Sequence, residues 1–256
     1  MRFVNNIKLA LLKRRINRAK KAGFALPEHV GLIPDGNRRW AEKHHIQPFE
    51  GHRMGYQKVK DLLDWALESG IKTLTLFAFS TENFNRSPAE VEALMEIFIS
   101  GLQELAEEDK LHKNQVKVGF LGNRSMITES LLERMHTLED VTKDYGKFQL
   151  NLAIAYGGRD EIIRVTQDLA KKVQNGEINP TDITEDLIGQ SLDTAGQRDP
   201  DLIIRTSNEQ RVSGFLLWQG SYSELLFQAP LFPAYDKCDF FEALHEFQKR
   251  KRRFGK

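Results

Sequence analysis

Four short stretches of this sequence crowd polar and charged side chains directly behind apolar runs. The first is Pro34-Asp35-Gly36-Asn37-Arg38-Arg39-Trp40, which follows His29–Ile33. It offers one carboxylate, a flexible backbone and two guanidiniums. The planar fork of Arg matches phosphate oxygens, and Asp is a hard oxygen ligand suited to magnesium. The same run would also serve as a plain turn with solvated arginines. The second stretch is Ser80-Thr81-Glu82-Asn83-Phe84-Asn85-Arg86, in which Ser80 and Asn83 can hydrogen-bond a phosphate and Arg86 can pair with one. Part of it reads equally as cap chemistry around Ser87. The third is Tyr156-Gly157-Gly158-Arg159-Asp160, whose glycines allow close backbone approach to a ligand or a neighbour. The fourth is Arg205-Thr206-Ser207 with Glu209, Arg211 and Ser213, which reads as a second anion site or a surface salt-bridge patch. Glu224 then opens the apolar run Leu225-Leu226-Phe227. An acid entering a buried strand is costly unless paired or metal-bound, so Glu224 joins Asp35 as a candidate metal ligand.

Two arginine-rich anion sites and two carboxylates point to phosphoryl or diphosphate chemistry. No Walker pattern and no Gly-x-Gly-x-x-Gly follows any strand candidate, which disfavours a standard nucleotide fold. The Asp-Asp-x-x-Asp metal motif of all-helical prenyl synthases is absent as well. Of the 7 histidines, His52 in Glu50-Gly51-His52-Arg53 is the one kept as a diphosphate or acid/base contact.

The elements that must position these residues alternate. Strands are expected over His29–Ile33, Thr73–Phe79, Val116–Leu121, Gln149–Ala155, Asp201–Thr206 and Glu224–Phe227, several as continuous apolar runs suited to strands covered on both faces. Apolar stripes at helical spacing lie between them: Val59 to Leu67, Val91 to Leu105, and Ile162 to Val173. Ser87-Pro88-Ala89-Glu90 is a strong helix start. Such alternation predicts an α/β fold with a mostly parallel central sheet flanked by helices. Ligands on such sheets bind at the carboxyl ends of strands, where all four loops fall.

Composition agrees. The 256 residues are 40% hydrophobic and 29% charged, an ordinary globular balance. Cys238 is the only cysteine, so no internal disulfide forms, and a reducing, cytoplasmic setting is the natural reading. No apolar run reaches membrane-spanning length. The net charge of +1 hides an asymmetry. Residues 1–24 carry eight Lys/Arg and no acid, and residues 249–256 carry six and no acid. The stretch between them has a net charge of −13. An acidic body argues against a nucleic-acid partner, whereas the basic ends allow peripheral contact with anionic lipid. The interleaved Val4, Ile7, Leu9, Leu11 and Leu12 read as a basic amphipathic helix, or as a frayed solubilising arm, and not as a secretory signal. The expected organisation is an N-terminal arm over 1–24 and one catalytic domain over 25–256.

The loops resemble those of cis-prenyltransferases, the undecaprenyl diphosphate synthase family. His29-Val30 through Ala41 resembles the family signature. Gly51-His52, Phe77 through Phe84, Asn151 through Arg159, Arg205-Thr206-Ser207, Phe215 through Gln219 and Arg250 through Gly255 match in order. The resemblance implies a magnesium-dependent homodimer with a hydrophobic tunnel that joins an allylic prenyl diphosphate to isopentenyl diphosphate, forming Z double bonds. By that resemblance Asp35 and Asn83 are catalytic. Gly36, Asn37, Arg38, Arg39, His52, Ser80 and Arg86 hold the donor diphosphate. Arg205, Arg211 and Ser213 hold isopentenyl diphosphate, Trp40, Phe79 and Phe84 touch hydrocarbon, and Asp35 and Glu224 serve the metal, Glu224 reaching across the dimer. The pattern departs at Pro34 for Met, at Pro48 for a donor-holding Arg, at Gly214 for Asn, and at Ser207-Asn208-Glu209 for a turn with a central Gly. Those departures allow an irregular prenyl transferase of the same fold, and a catalytically silent partner subunit or a lipid-phosphate-binding protein are the other classes to separate.

Overall fold

The structure is a computed structural model. It describes the backbone of residues 2–250 and the side chains of residues 5–250. All of the Arg250–Gly255 motif beyond Arg250 lies outside the described residues.

Six strands form one sheet: β1 (His29–Ile33), β2 (Thr73–Ser80), β3 (Val116–Leu121), β4 (Phe148–Tyr156), β5 (Leu202–Arg205) and β6 (Glu224–Phe227). Their order is β3-β4-β2-β1-β5-β6 and every pairing is parallel. The sheet thus grows outward from β1 in both directions. The four inner strands are apolar on both faces, as helices covering both faces require. One face carries the large core of Leu32, Leu74, Leu76, Leu150 and Ile204. The other carries Ile33, Phe77, Tyr156, Ile203 and Phe215. A register shift between Phe77 and Phe79 re-aims the end of β2, so that Phe79 joins the large core.

The helices are α1 (Arg2–Lys21), α2 (Asn37–Lys43), α3 (Pro48–Ser69), α4 (Pro88–Ala106), α5 (Asp109–Lys113), α6 (Glu129–Thr142), α7 (Gly158–Gln174), α8 (Glu185–Ser191) and α9 (Lys237–Lys249). The expected strands match to within two residues at each end. The helix expected from Val59 begins eleven residues earlier, because Pro48 occupies its first turn. Pro48 therefore starts α3.

Two expectations change at the edges. The first helix is docked on the body, with Leu12 and Ile16 buried against the core. Asn5 donates to Asp236, Lys8 pairs with Glu242 at 3.0 Å, and Gln248 donates to the carbonyl of Phe24. Strand β6 is an edge strand and only half-buried, so Glu224 does not enter a buried strand. Its carboxylate pairs with Arg250 at 2.7 Å.

Candidate active site

Strands β2, β1 and β5 are neighbours, and their carboxyl ends place three of the four polar loops side by side. The loop after β1 is pinned at its backbone. Asp35 donates its N–H to Thr206 Oγ1 at 2.8 Å, Thr206 donates to the Asp35 carbonyl at 2.7 Å, and Phe232 donates to that same carbonyl. Gly36 caps α2 at φ +107°, and a Cβ there would meet Leu231 at 2.8 Å, so only glycine makes this turn. The carboxylate of Asp35 is thereby aimed into a polar cavity of about 510 Å³.

Cations and carboxylates alternate around that cavity. Asp35 accepts from Arg205 at 2.8 and 3.3 Å and from Arg39 at 3.2 Å. Burial works to raise the Asp35 carboxyl, but the hydrogen bonds and charges of Arg205, then Arg39, outweigh it and hold the group below the usual carboxylate range. Glu209 bridges Arg39, at 3.1 Å, and Arg211. Arg205 also donates to Ser213 Oγ at 2.7 Å and to the Arg211 carbonyl at 2.6 Å. On the opposite wall Glu90 pairs with Arg86 at 3.0 Å, with His52 at 3.4 Å and loosely with Arg38. Burial and then the Arg86 charge push His52 down, so it is neutral near pH 7 despite Glu90. The side-chain oxygen of Asn83 accepts the Ser80 backbone N–H at 3.0 Å, which closes the turn after β2.

Asp35, Gly36, Asn37, Arg38, Arg39, His52, Phe79, Ser80, Asn83, Arg86, Arg205, Arg211 and Ser213 therefore line one cavity. Three expected residues do not. Trp40 stacks on His44 at 4.0 Å, and Phe84 packs edge-on against Phe79 at 4.9 Å, both outside the cavity walls. Glu224 faces Leu202 across the sheet, at the opposite strand end from Arg205, so one chain does not bring it to Asp35. Its expected metal role, shared with Asp35 across a dimer, is therefore one that a single chain does not complete. Glycines 157 and 158 let neighbouring segments approach closely: a Cβ on Gly157 would meet Thr81, and Gly158 donates to the Gly214 carbonyl at 2.8 Å, which fixes the segment carrying Ser213.

Sequence reasoning did not foresee the parts taken by Glu90, by Glu209 and by the shared wall of Pro34 and Ala78. The carboxylates of Glu209 and Glu90 neutralise the site's cations; Glu209 was signalled by its position two residues before Arg211, whereas Glu90 looked like capping alone. Pro34 and Ala78 line both the polar cavity and a second, apolar one of about 280 Å³. That second cavity runs between α3, α4 and the sheet, walled by Leu63, Leu76, Phe98, Leu102, Leu152 and Ile154. It has the form of the expected tunnel, opening off the polar site.

Residues 33–255 match the prenyltransferase family described as undecaprenyl diphosphate synthase. The chain belongs to this family. It is 44% identical over 231 residues to the tritrans,polycis-undecaprenyl-diphosphate synthase (geranylgeranyl-diphosphate specific) of Thermococcus kodakarensis, covering 90% of this chain and 88% of that one. It is 43% identical to the isoprenyl transferase of Thermus thermophilus, covering 96% and 95%. The crystal structure of lavandulyl diphosphate synthase from Lavandula x intermedia with dimethylallyl diphosphate superposes with a TM-score of 0.87 at 35% identity, covering 90% of this chain and 99% of that one. Like its family, the chain is a transferase of prenyl groups.

Proposed function

We propose that this prenyltransferase condenses an allylic prenyl diphosphate with isopentenyl diphosphate and lengthens it as a Z-polyprenyl diphosphate. The observation that carries this reading is the wall of Pro34 and Ala78, which a cation-rich cavity and an apolar one share. That pair of environments suits a ligand with a charged head and a hydrocarbon tail. Its geranylgeranyl-specific relatives favour a donor of that class.

The donor diphosphate lies against Arg38, Arg39, Arg86 and the amides of the Gly36-Asn37 turn, with Ser80 and His52 as hydrogen-bonding neighbours. The acceptor diphosphate lies against Arg205, Arg211 and Ser213. As the allylic C–O bond breaks, negative charge grows on the departing diphosphate, and fixed guanidiniums and amides stabilise it without reorganising. The alkene of isopentenyl diphosphate then attacks the cationic carbon, and Asn83 stands beside the reacting carbons as the proton is lost. The apolar wall keeps water from quenching the cation. Among the described residues no cluster of three His, Cys, Asp or Glu side chains can hold a metal alone. One carboxylate beside a phosphate site is nonetheless a usual setting for magnesium, which keeps waters and takes phosphate oxygens. Asp35 fits that part, and magnesium bound there supplies further charge stabilisation to the leaving diphosphate.

We infer a homodimer as well. The β6 edge presents Leu225 and Tyr222 to solvent, and Glu224 sits on that same edge, where a second copy would cover it. Peripheral contact with anionic lipid belongs to the outer face of α1, where Ile7 and Leu11 are exposed beside Arg14, Arg15 and Arg18. Among the described residues no helix is long and apolar enough to cross a membrane.

The test is purified protein with magnesium, radiolabelled isopentenyl diphosphate and allylic donors from five to twenty carbons. Label in a linear Z product supports the reading. Branched connectivity by NMR moves the chain to the irregular class. No incorporation with any donor overturns it in favour of a silent partner subunit.

A further inference from the structure

The turn that follows β5 is held against its own preference. Ser207 and Asn208 sit at φ +71° and +60°, two consecutive side-chain-bearing residues in the left-handed region. Asn enters that region readily, whereas Ser is disfavoured there. Such backbone persists only where its surroundings over-determine it. The turn also carries part of the polar site. Ser207 Oγ accepts from Arg39 at 2.7 Å, and Glu209 bridges Arg39 and Arg211.

The turn is held by the segment 228–235, which connects β6 to α9. The Gln228 N–H donates to the Arg205 carbonyl at 2.9 Å. In return the Gln228 carbonyl accepts the Asn208 N–H at 2.8 Å, and the Pro230 carbonyl accepts the Ser207 N–H at 2.7 Å. All three bonds depend on where residues 228–230 lie. Ala229 is exposed and Pro230 only half-buried, so this end of the segment has little packing behind it. The other end is fixed by packing: Phe232 is fully buried in the core and donates its N–H to the Asp35 carbonyl at 3.0 Å. One side chain reaches back from the buried end to the loose one. Tyr235 is fully buried, its ring 6.3 Å from Trp65 and 6.4 Å from Phe232, and its hydroxyl donates to Gln228 Oε1 at 2.6 Å. Gln228 Nε2 in turn donates to the Asp239 carbonyl on α9 at 3.0 Å.

We propose that Tyr235, acting through Gln228, is a positioning residue that braces the Ser207-Asn208 turn in its left-handed form and so keeps Glu209 and Arg211 placed for the acceptor diphosphate. It touches neither substrate. The proposal rests on the reading of Arg205, Arg211 and Ser213 as the acceptor side. Without the hydroxyl, residues 228–230 are free to shift and the disfavoured turn relaxes. Phe232 meanwhile keeps the Asp35 end in place. Arg39 retains its pairing with Asp35, and the donor side retains Arg38, Arg86 and the Gly36-Asn37 amides. The disturbance therefore falls on the acceptor.

Steady-state kinetics and titration calorimetry with isopentenyl diphosphate test this. Tyr235→Phe removes one oxygen and keeps the ring. It is expected to raise acceptor KM and Kd about tenfold, the factor set by one buried hydrogen bond, with donor KM little changed. Gln228→Leu removes the partner and is expected to act in the same direction. The double variant Y235F/Q228L is expected to be no worse than Gln228→Leu, since both changes break one bond. Asn208→Gly enters the left-handed region without a Cβ and is expected to recover part of the loss in the Tyr235→Phe background. Leu131→Ala, on the buried face of α6, is expected to lower the melting temperature at least as far as Tyr235→Phe and to leave both KM values alone. Acceptor KM and Kd unmoved in Tyr235→Phe, moved equally by Leu131→Ala, or unimproved by Asn208→Gly overturn the brace and leave the prenyltransferase reading intact. Wild type that binds no isopentenyl diphosphate overturns the reading of the site and the brace with it, a result seen before any substitution is made.

Discussion

Asp35 is the residue on which the most contacts converge, and its chemistry is set by its neighbours. Asp35→Asn keeps the shape but loses the negative charge facing Arg205 and Arg39. Turnover is expected to fall by about 10²–10³ or more, the range for losing one preorganised charge-stabilising group, with circular dichroism unchanged. The depressed Asp35 carboxyl also sets a sign for stability. Its contribution is full above the unfolded carboxylate value, near about pH 4, and is lost as pH falls through the lower folded value. The melting temperature of wild type relative to Asp35→Asn is therefore expected to be constant above about pH 5 and to drop below it; a gap that persists at lower pH would mean the pair does not stabilise the fold. Asp35, Asn37, Arg39, Arg205 and Arg211 were legible because strand ends announce them. That Trp40 and Phe84 lie outside the walls of the polar cavity was not legible, because composition does not say which way a side chain points. The departures at 208 and 214 have a conformational account: Asn208 and Gly214 sit at φ +60° and +81°, a region that both Asn and Gly enter readily. Gly214→Asn is expected to keep near-normal acceptor KM, whereas Gly214→Val, forced into that same region, is expected to raise it severalfold while donor KM holds.

At the scale of elements, each loop in the site depends on close packing behind it. Helix α3 lies so near α2 that a Cβ on Gly51 would fall 2.4 Å from the Asn37 carbonyl, and one on Gly55 would fall 2.5 Å from the Asn37 side chain. Gly55→Ala must push the Asn37 turn aside, and the expected outcome is weaker donor binding, read as a raised donor KM with acceptor KM little changed. The helices and strands were legible from periodicity, since buried strands and amphipathic helices write distinct patterns. The docking of α1 was not, because a basic helix with a few leucines can cover a body or lie free. Its buried residues decide the matter. Leu12→Ala is expected to cost about 2–5 kcal/mol, as other buried leucines do, and to lower the melting temperature by several degrees. Ile7→Ala, on the exposed face, is expected to leave the melting temperature alone and to weaken sedimentation with anionic vesicles. Equal vesicle binding by wild type and Ile7→Ala would remove the membrane role of that face.

For the molecule as a whole, the polar and the apolar cavity meet behind the end of β1, at Pro34. The two ends of the chain meet on the same body. Asn5 and Asp236 touch across 231 positions of sequence, and Leu12 and Ile16 share a core cluster with Phe240, Phe241 and Leu244. That closure has a consequence for how the protein is made. A ribosome adding about 5–20 residues per second delivers α1 first and α9 roughly 10–45 s later. Throughout that interval the leucine face of α1 lacks α9, whose Phe240, Phe241 and Leu244 share its core cluster. The strands around β1 and their helices can form in the meantime, but β5 and β6 also arrive late, so Arg205, one of the two arginines that pair with Asp35, comes late in synthesis. Nascent chains are expected to stay protease-sensitive at α1 until α9 has emerged, and a chaperone that shields basic, leucine-bearing helices would find its client in that window.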